Sequence, residues 1–215
     1  TQSFDTAQGA VWVGNPVRAS IEAIAAPDSR FANRTGRIRL LVLGGSLGAK
    51  ALNDVVPQAI ALANETHLFE IRHQSGERHL SDCQQNYQAA NIKAEVSAFI
   101  DDMTSAYAWA DLVICRAGAL TIAELAASGV GAILVPYPYA VDDHQTHNAM
   151  ALMTSGAAQL IPEDTLTADG LFKQLSVFIN DRGHLLNMAN AARSQAKLGT
   201  AKVVADICLK EVTHA

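Results

Sequence analysis

The chain has 215 residues, enough for one large domain or one and a half small ones. Apolar residues make up 49% and aromatic residues 6%, so the expected core is built from Ala, Leu, Val and Ile. A formal net charge of −5 and an isoelectric point near 5.7 argue against a nucleic-acid surface, which would carry a basic footprint.

No apolar run approaches the ~20 residues that span a bilayer, and the longest, 130–141, is broken by Gly131, Pro136 and Pro138. The chain opens without methionine on a polar stretch. Residues 1–10 are therefore expected to be the remnant of a linker, and 11–215 one domain of a longer protein. Val11-Trp12-Val13, followed by Gly14-Asn15-Pro16, predicts a brief strand ending in a turn. Arg18 and the Ala/Ile-rich stretch to Ala26 predict a short helix stopped by Pro27. Residues 28–37 predict a polar loop, and Arg30, Arg34, Arg37 and Arg39 a solvated segment.

From there strands and helices alternate. Strands are predicted at 38–43, 68–73, 94–98, 112–115, 132–135 and 157–161. Helices are predicted up to about Asn64, up to about Ala90, over 103–110, after Gly118 and over 143–155. The helix after Gly118 shows its spacing in Ile122, Leu125 and Ala126, with Gly129 as its stop. The tail, 167–213, reads as helical with breaks near 180–183 and 199. Such alternation implies right-handed crossovers and one parallel sheet with helices on both faces, a Rossmann-like α/β fold. Ligands of such sheets sit outside the carboxyl ends of the strands. The informative loops are therefore 14–18, 44–48, 73–76, 99–103, 116–124 and 136–148.

Gly44-Gly45-Ser46-Leu47-Gly48 fits neither the dinucleotide fingerprint nor the nucleoside-triphosphate loop. It can still cradle a phosphate through backbone N–H groups and the Ser46 hydroxyl. Gly118 is expected to serve a turn that a side chain would obstruct. The helix start behind it offers free N–H groups and a positive dipole end, an anion site. Two such loops in one sheet suit a diphosphate. Thr121-x-x-Glu124 can be read as a capping box or as ligand-facing residues. Asp143 is a natural N-cap, and Gln145 and Asn148 share a helix face, where amides suit sugar hydroxyls. His144-x-x-His147 lacks a third placed ligand, so no metal is expected. Cys83, Cys115 and Cys208 lack metal or redox spacing, and their odd number suits a reducing compartment. Neither a Ser-His-Asp set nor a carboxylate pair for glycoside cleavage is visible, and a catalytic base is not obvious.

Five stretches in order resemble the MurG family, bacterial transferases that add N-acetylglucosamine to lipid I in peptidoglycan synthesis. They are Gly14-Asn15-Pro16-Val17-Arg18, Gly44-Gly45-Ser46-x-Gly48-Ala49, Phe99-Ile100-Asp101-Asp102-Met103, Arg116-Ala117-Gly118-Ala119-Leu120-Thr121-x-x-Glu124 and Asp143-His144-Gln145-x-x-Asn148-Ala149. The resemblance runs from about Trp12 to the C-terminus. It implies the C-terminal, donor-binding domain of a two-domain GT-B glycosyltransferase, without the N-terminal domain that carries acceptor site, membrane-facing surface and proposed base. It further implies that Ser46, the backbone of Ala119, Leu120 and Thr121, and the Thr121 hydroxyl hold the donor diphosphate, with Arg18 adding charge. The Ile100 backbone would pair with the uracil edge, Glu124 would accept from the ribose, and Gln145 would read the N-acetylglucosamine. Gly45, Gly48, Gly118 and Asn148 are secondary candidates, and Ala117 stands where members often have Ser.

The implied activity is inverting transfer from UDP-N-acetylglucosamine to lipid I, giving lipid II, with this fragment inactive alone and no cofactor. The implied location is cytoplasmic, the full-length protein lying peripherally on the inner membrane; no nucleic acid and no membrane segment are involved. The alternatives are the donor domain of another UDP-sugar enzyme (a glycolipid glycosyltransferase or an epimerase), a non-catalytic nucleotide-sugar module, and a structural interaction domain. An epimerase would bring acidic and histidine residues to the sugar. A structural domain would not need Arg, Gln and Thr above its strand ends.

Overall fold

A computed structural model describes residues 13–45, 47–63, 68–140 and 143–213. The expected strand at 11–13 lies largely outside the described residues, and Val13 has no regular structure. Apolar segments form six strands: β1 Ile38–Leu43, β2 Phe69–Gln74, β3 Glu95–Ser97, β4 Leu112–Cys115, β5 Gly131–Leu134 and β6 Ala158–Leu160. All adjacent strands are parallel, in the order β3-β2-β1-β4-β5-β6. The central strands β4 and β5 are buried throughout, as continuous apolar runs covered on both faces should be. The connections reverse direction between β1 and β4, which makes that pair the switch point of the sheet.

Strand alternation sorts the core into two layers. Leu40, Val42, Ile114 and Ile133 face α3 (Lys50–Ala61), α4 (Leu80–Ala89) and α8 (Ala168–Asn180). Leu41, Leu43, Val113, Cys115 and Leu134 face α1 (Ala19–Glu22), α5 (Met103–Trp109), α6 (Ala119–Ser128) and α7 (His144–Thr154). Gly129 ends α6 in the left-handed conformation, at φ +64°, as expected of a helix stop. The tail forms α8, α9 (Arg182–Ser194) and α10 (Thr200–Thr213), broken at Asp181 and around Gly199 as predicted. Among the described residues no helix is long and apolar enough to cross a membrane.

The segment 27–37 differs from its expected form. Pro27 does not stop a helix but opens α2 (Pro27–Phe31), at a position where its missing N–H costs nothing. The arginines behind it are not uniformly solvated. Arg30 donates to the carbonyls of Tyr107 at 3.3 Å, Ser128 at 3.0 Å and Gly129. Arg34 donates to Ala108 O and Ala110 O and pairs with the buried Asp111. Arg193 donates to Ala127 O and Glu22 O. The last carbonyls of α5 and α6 have no partner within their helices, and a cation there also complements the dipole. Burial, with Arg34 and Arg193 nearby, lowers the pKa of Arg30 to about 10. This cluster closes the base of the sheet, at the N-terminal end of β4.

Candidate functional site

At the other end of β4 the loops converge on a cleft of about 290 Å³. Leu43 is in register with both Gln74 and Cys115, so the three share one sheet face and form the floor. Phe99, Ile100, Met103 and Tyr107, with Arg116, Thr121 and Glu124, line its walls. The cleft therefore sits at the switch point.

The first turn of α6 explains its electrostatics. Gly118 is the N-cap and contributes no side-chain cap, and the first bonded amide is Ile122 N, to Gly118 O at 2.9 Å. The amides of Ala119, Leu120 and Thr121 are left without intrahelical partners, beside the cleft. Asn15 Nδ2 donates to Ala119 O at 3.1 Å, fixing the 14–18 segment on this helix start. Leu120 itself is exposed.

The same geometry decides between the two readings of Thr121-x-x-Glu124. The helix starts at Ala119, so Thr121 is its third residue and cannot be its N-cap. Glu124 turns away from the helix start: its Oε2 accepts from Tyr107 OH at 3.0 Å and its Oε1 from Arg18 at 3.4 Å. The capping box is not formed. Tyr107 is buried, and burial together with the Glu124 charge raises its pKa well above 10, so the phenol keeps its proton and donates it. The Arg18 side chain is 55% exposed, and so long a pair in that setting is weak and exchangeable.

Gly118 does not serve the purpose expected of it. A Cβ there would meet only Thr121 Oγ1, at an ordinary 3.6 Å, and its φ is −63°. The most crowded glycines are Gly48 and Gly76, at φ +78° and +80°. A Cβ on Gly48 would lie 2.4 Å from Ser75 O, and one on Gly76 2.5 Å from Gly48 N, because the two loops touch backbone to backbone. Gly45 faces open space. Ser46 lies outside the described residues. Ile100 presents peptide groups that make no hydrogen bond among the described residues.

At the start of α7 the structure departs from the expected cap. Asp143 holds the N-cap position at φ +50°, but its carboxylate accepts from Thr146 Oγ1 at 2.7 Å and, among the described residues, from no backbone amide. Gln145 and Asn148 do share a face, and both clamp Ala117. Gln145 Oε1 accepts from Ala117 N at 3.2 Å and Tyr137 N at 2.9 Å, while Asn148 Nδ2 donates to Ala117 O at 3.2 Å. Both acceptor positions of the Gln145 oxygen are thus taken, and only its NH2 group remains for a ligand. For the UDP-sugar that the resemblance implies, Gln145→Ala, which strands two loop amides, should weaken UDP by about tenfold and the sugar donor by at least as much. Calorimetric titration of both ligands checks this; a loss confined to the sugar donor would assign Gln145 to the sugar alone.

Tyr107 and the fixing of Arg116 were not legible in the sequence, and Gln74 fell within the informative loop 73–76 without a role of its own. Arg116 donates to Val135 O at 3.2 Å and Pro136 O at 3.3 Å and pairs with Glu163, tying the loops after β4 and β5 together. Its place in the 116–124 motif is a signal without a role. Tyr107, seventeen residues before Glu124, gave none. Asp102 caps α5 by accepting from Ser105 N at 2.9 Å, and its hydrogen bonds from Ser105 hold its carboxyl below the usual range. Burial pushes the Cys115 thiol up to about 12, which leaves it unreactive.

The sequence model of the glycosyltransferase family 28 C-terminal domain matches residues 39–204. A relative from Dechloromonas aromatica (strain RCB) is 55% identical over 206 residues, covering 95% of this chain and 57% of its own length. One from Cupriavidus metallidurans is 51% identical over 204 residues, covering 95% and 57%. Both are named UDP-N-acetylglucosamine--N-acetylmuramyl-(pentapeptide) pyrophosphoryl-undecaprenol N-acetylglucosamine transferase. The crystal structure of Acinetobacter baumannii MurG superposes with a TM-score of 0.81 at 40% identity, over 88% of this chain and 55% of that one. The chain thus spans little more than half the length of the proteins it matches.

Proposed function

Because the chain belongs to the glycosyltransferase family 28 C-terminal domains, we propose that its cleft binds UDP-N-acetylglucosamine as donor for conversion of lipid I to lipid II. The observation that carries this reading is the cleft at the β1–β4 switch point, with the uncapped N-terminus of α6 on one side and Glu124 beside it. The diphosphate lies against the amides of Ala119, Leu120 and Thr121, the Thr121 hydroxyl and Ser46. Arg18 leaves Glu124 to join it, and the ribose hydroxyls take over the vacated Oε1. The uracil edge pairs with the peptide groups of Ile100. The NH2 group of Gln145 reaches the sugar, with Gly45, Gly48, Gly118 and Asn148 shaping the loops around it.

In the transfer an acceptor hydroxyl attacks the anomeric carbon, the bond to the diphosphate breaks, and UDP leaves with inversion. The negative charge that grows on UDP meets oriented amides and a dipole already in place. Acceptor binding, the catalytic base and a peripheral position on the cytoplasmic face of the inner membrane belong to the full-length enzyme. Calorimetric titration with UDP-N-acetylglucosamine tests the donor site, and absence of binding overturns it. This polypeptide incubated with donor and a lipid I analogue should release no UDP above background; steady turnover would contradict the division of labour.

Glu124→Gln should weaken UDP binding by about 1–3 kcal/mol, the scale of a hydrogen bond to a charged group. Since the carboxylate caps nothing, its melting temperature should barely move. Unchanged affinity with a large thermal loss would return Glu124 to a structural role.

A further inference from the structure

Gln74 ends β2 and is 5% exposed, on the floor of the cleft between Leu43 and the loop after β3. Its backbone carbonyl accepts from Gly44 N at 2.9 Å, but its side-chain amide makes no hydrogen bond among the described residues. The charged groups lining the same cleft do have partners: Glu124 with Tyr107 and Arg18, Arg116 with two carbonyls and Glu163. The Gln74 amide is not enclosed by protein but opens onto the cleft, where it is free to take a partner. An amide kept so on the floor of a binding cleft points to a partner that arrives with the ligand.

We infer that the side-chain amide of Gln74 reads the nucleobase, donating from Nε2 to a uracil carbonyl. This rests on the reading of the cleft as a UDP-sugar site. The amides of α6 and the Gln145 NH2 group lie on the β4 and β5 side, where diphosphate and sugar belong. Gln74 lies on the opposite side, with Ile100, where β2 and β3 end. The uracil edge offers a carbonyl, an N–H and a second carbonyl. One residue's peptide groups, with one N–H and one C=O, satisfy the ring N–H and a single carbonyl. The other carbonyl needs a donor, and the Gln74 amide supplies it.

Gln74→Met keeps the length of the side chain and removes the amide. It should weaken UDP and UDP-N-acetylglucosamine alike by about tenfold, or about 1.4 kcal/mol. The melting temperature of the unliganded protein should hold or rise, because no protein–protein hydrogen bond is lost. In the wild type, 2-thio-UDP and 4-thio-UDP should both bind more weakly than UDP, because each replaces a carbonyl that accepts a hydrogen bond, and for one of the two the loss of about tenfold should depend on Gln74. Gln74→Met should bind that analogue and UDP equally. Wild-type affinity for UDP in Gln74→Met, or thio effects of the same size in both proteins for both analogues, overturns the inference. If the wild type binds no UDP, the reading of the cleft fails and this inference with it. If it binds UDP while Gln74→Met is indifferent, only the role of Gln74 fails.

Discussion

Replacing Arg34 by methionine should cost the fold about 3–5 kcal/mol, the scale for breaking a buried ion pair from one side. The Arg34 and Asp111 side chains are 12% and 3% exposed, so neither charge can fall back on water. Without Arg34 the carbonyls of Ala108 and Ala110 lose their donor. Asp111 would keep only Arg39 N at 3.0 Å and a distant Arg182 at 3.7 Å. Urea unfolding measures the loss, and Arg37→Met, at an exposed neighbour, should stay within about 0.5 kcal/mol of wild type. The cluster lies at the base of the sheet and the cleft at its top. The folded fraction of Arg34→Met should therefore bind UDP with wild-type affinity. A loss under about 1 kcal/mol would mean that the pair is solvated after all.

That cluster also shows where sequence reading stops. The six strands and their crossovers were legible because apolar runs and glycine stops are local signals, and each strand fell within a residue or so of its expected place. The arginines gave no such signal. The carbonyls of 107–110 and 128–129 that Arg30 and Arg34 reach lie 74 to 99 residues away, so a polar run that ends up buried looks like one that stays in solvent. The Thr-x-x-Glu pattern misled for a different reason. It is satisfied by residue type, but α6 begins two residues earlier, at Ala119, where Gly118 can end the preceding loop without a side chain. Gln145 and Asn148 share the expected face, yet their donor and acceptor, respectively, are the backbone of Ala117, one loop away in space and 28 and 31 residues away in sequence. In each case position was local information and partnership was not.

His73 and Gln74 give the sharpest instance, since adjacent strand residues point to opposite faces. Gln74 faces the cleft, whereas His73 is fully buried in the other layer. There its Nε2 lies 2.9 Å from Asn53 Oδ1 and its Nδ1 2.9 Å from Tyr87 OH. Asn53 Nδ2 donates to Ser75 O, so its Oδ1 is an acceptor and Nε2 carries the imidazole proton. Tyr87 then donates to Nδ1, and the neutral ring is satisfied at both nitrogens. Burial lowers the His73 pKa from 6.5 to about 3, while Cys83 and Tyr87 beside it are pushed upward and stay protonated in acid. Between those two values the unfolded chain binds one proton that the folded chain refuses. The contribution of His73 is thus complete above pH 6.5 and falls as the pH drops towards 3. Relative to a non-titrating His73→Gln variant, wild-type stability should decline by about 1.4 kcal/mol per pH unit across that window. Urea unfolding at a series of pH values measures the difference, and proton NMR of the imidazole gives an independent reading. A ring that titrates near 6.5 in the folded protein, or a difference that stays flat from neutral pH to pH ~4, would show that His73 accepts its charge without cost.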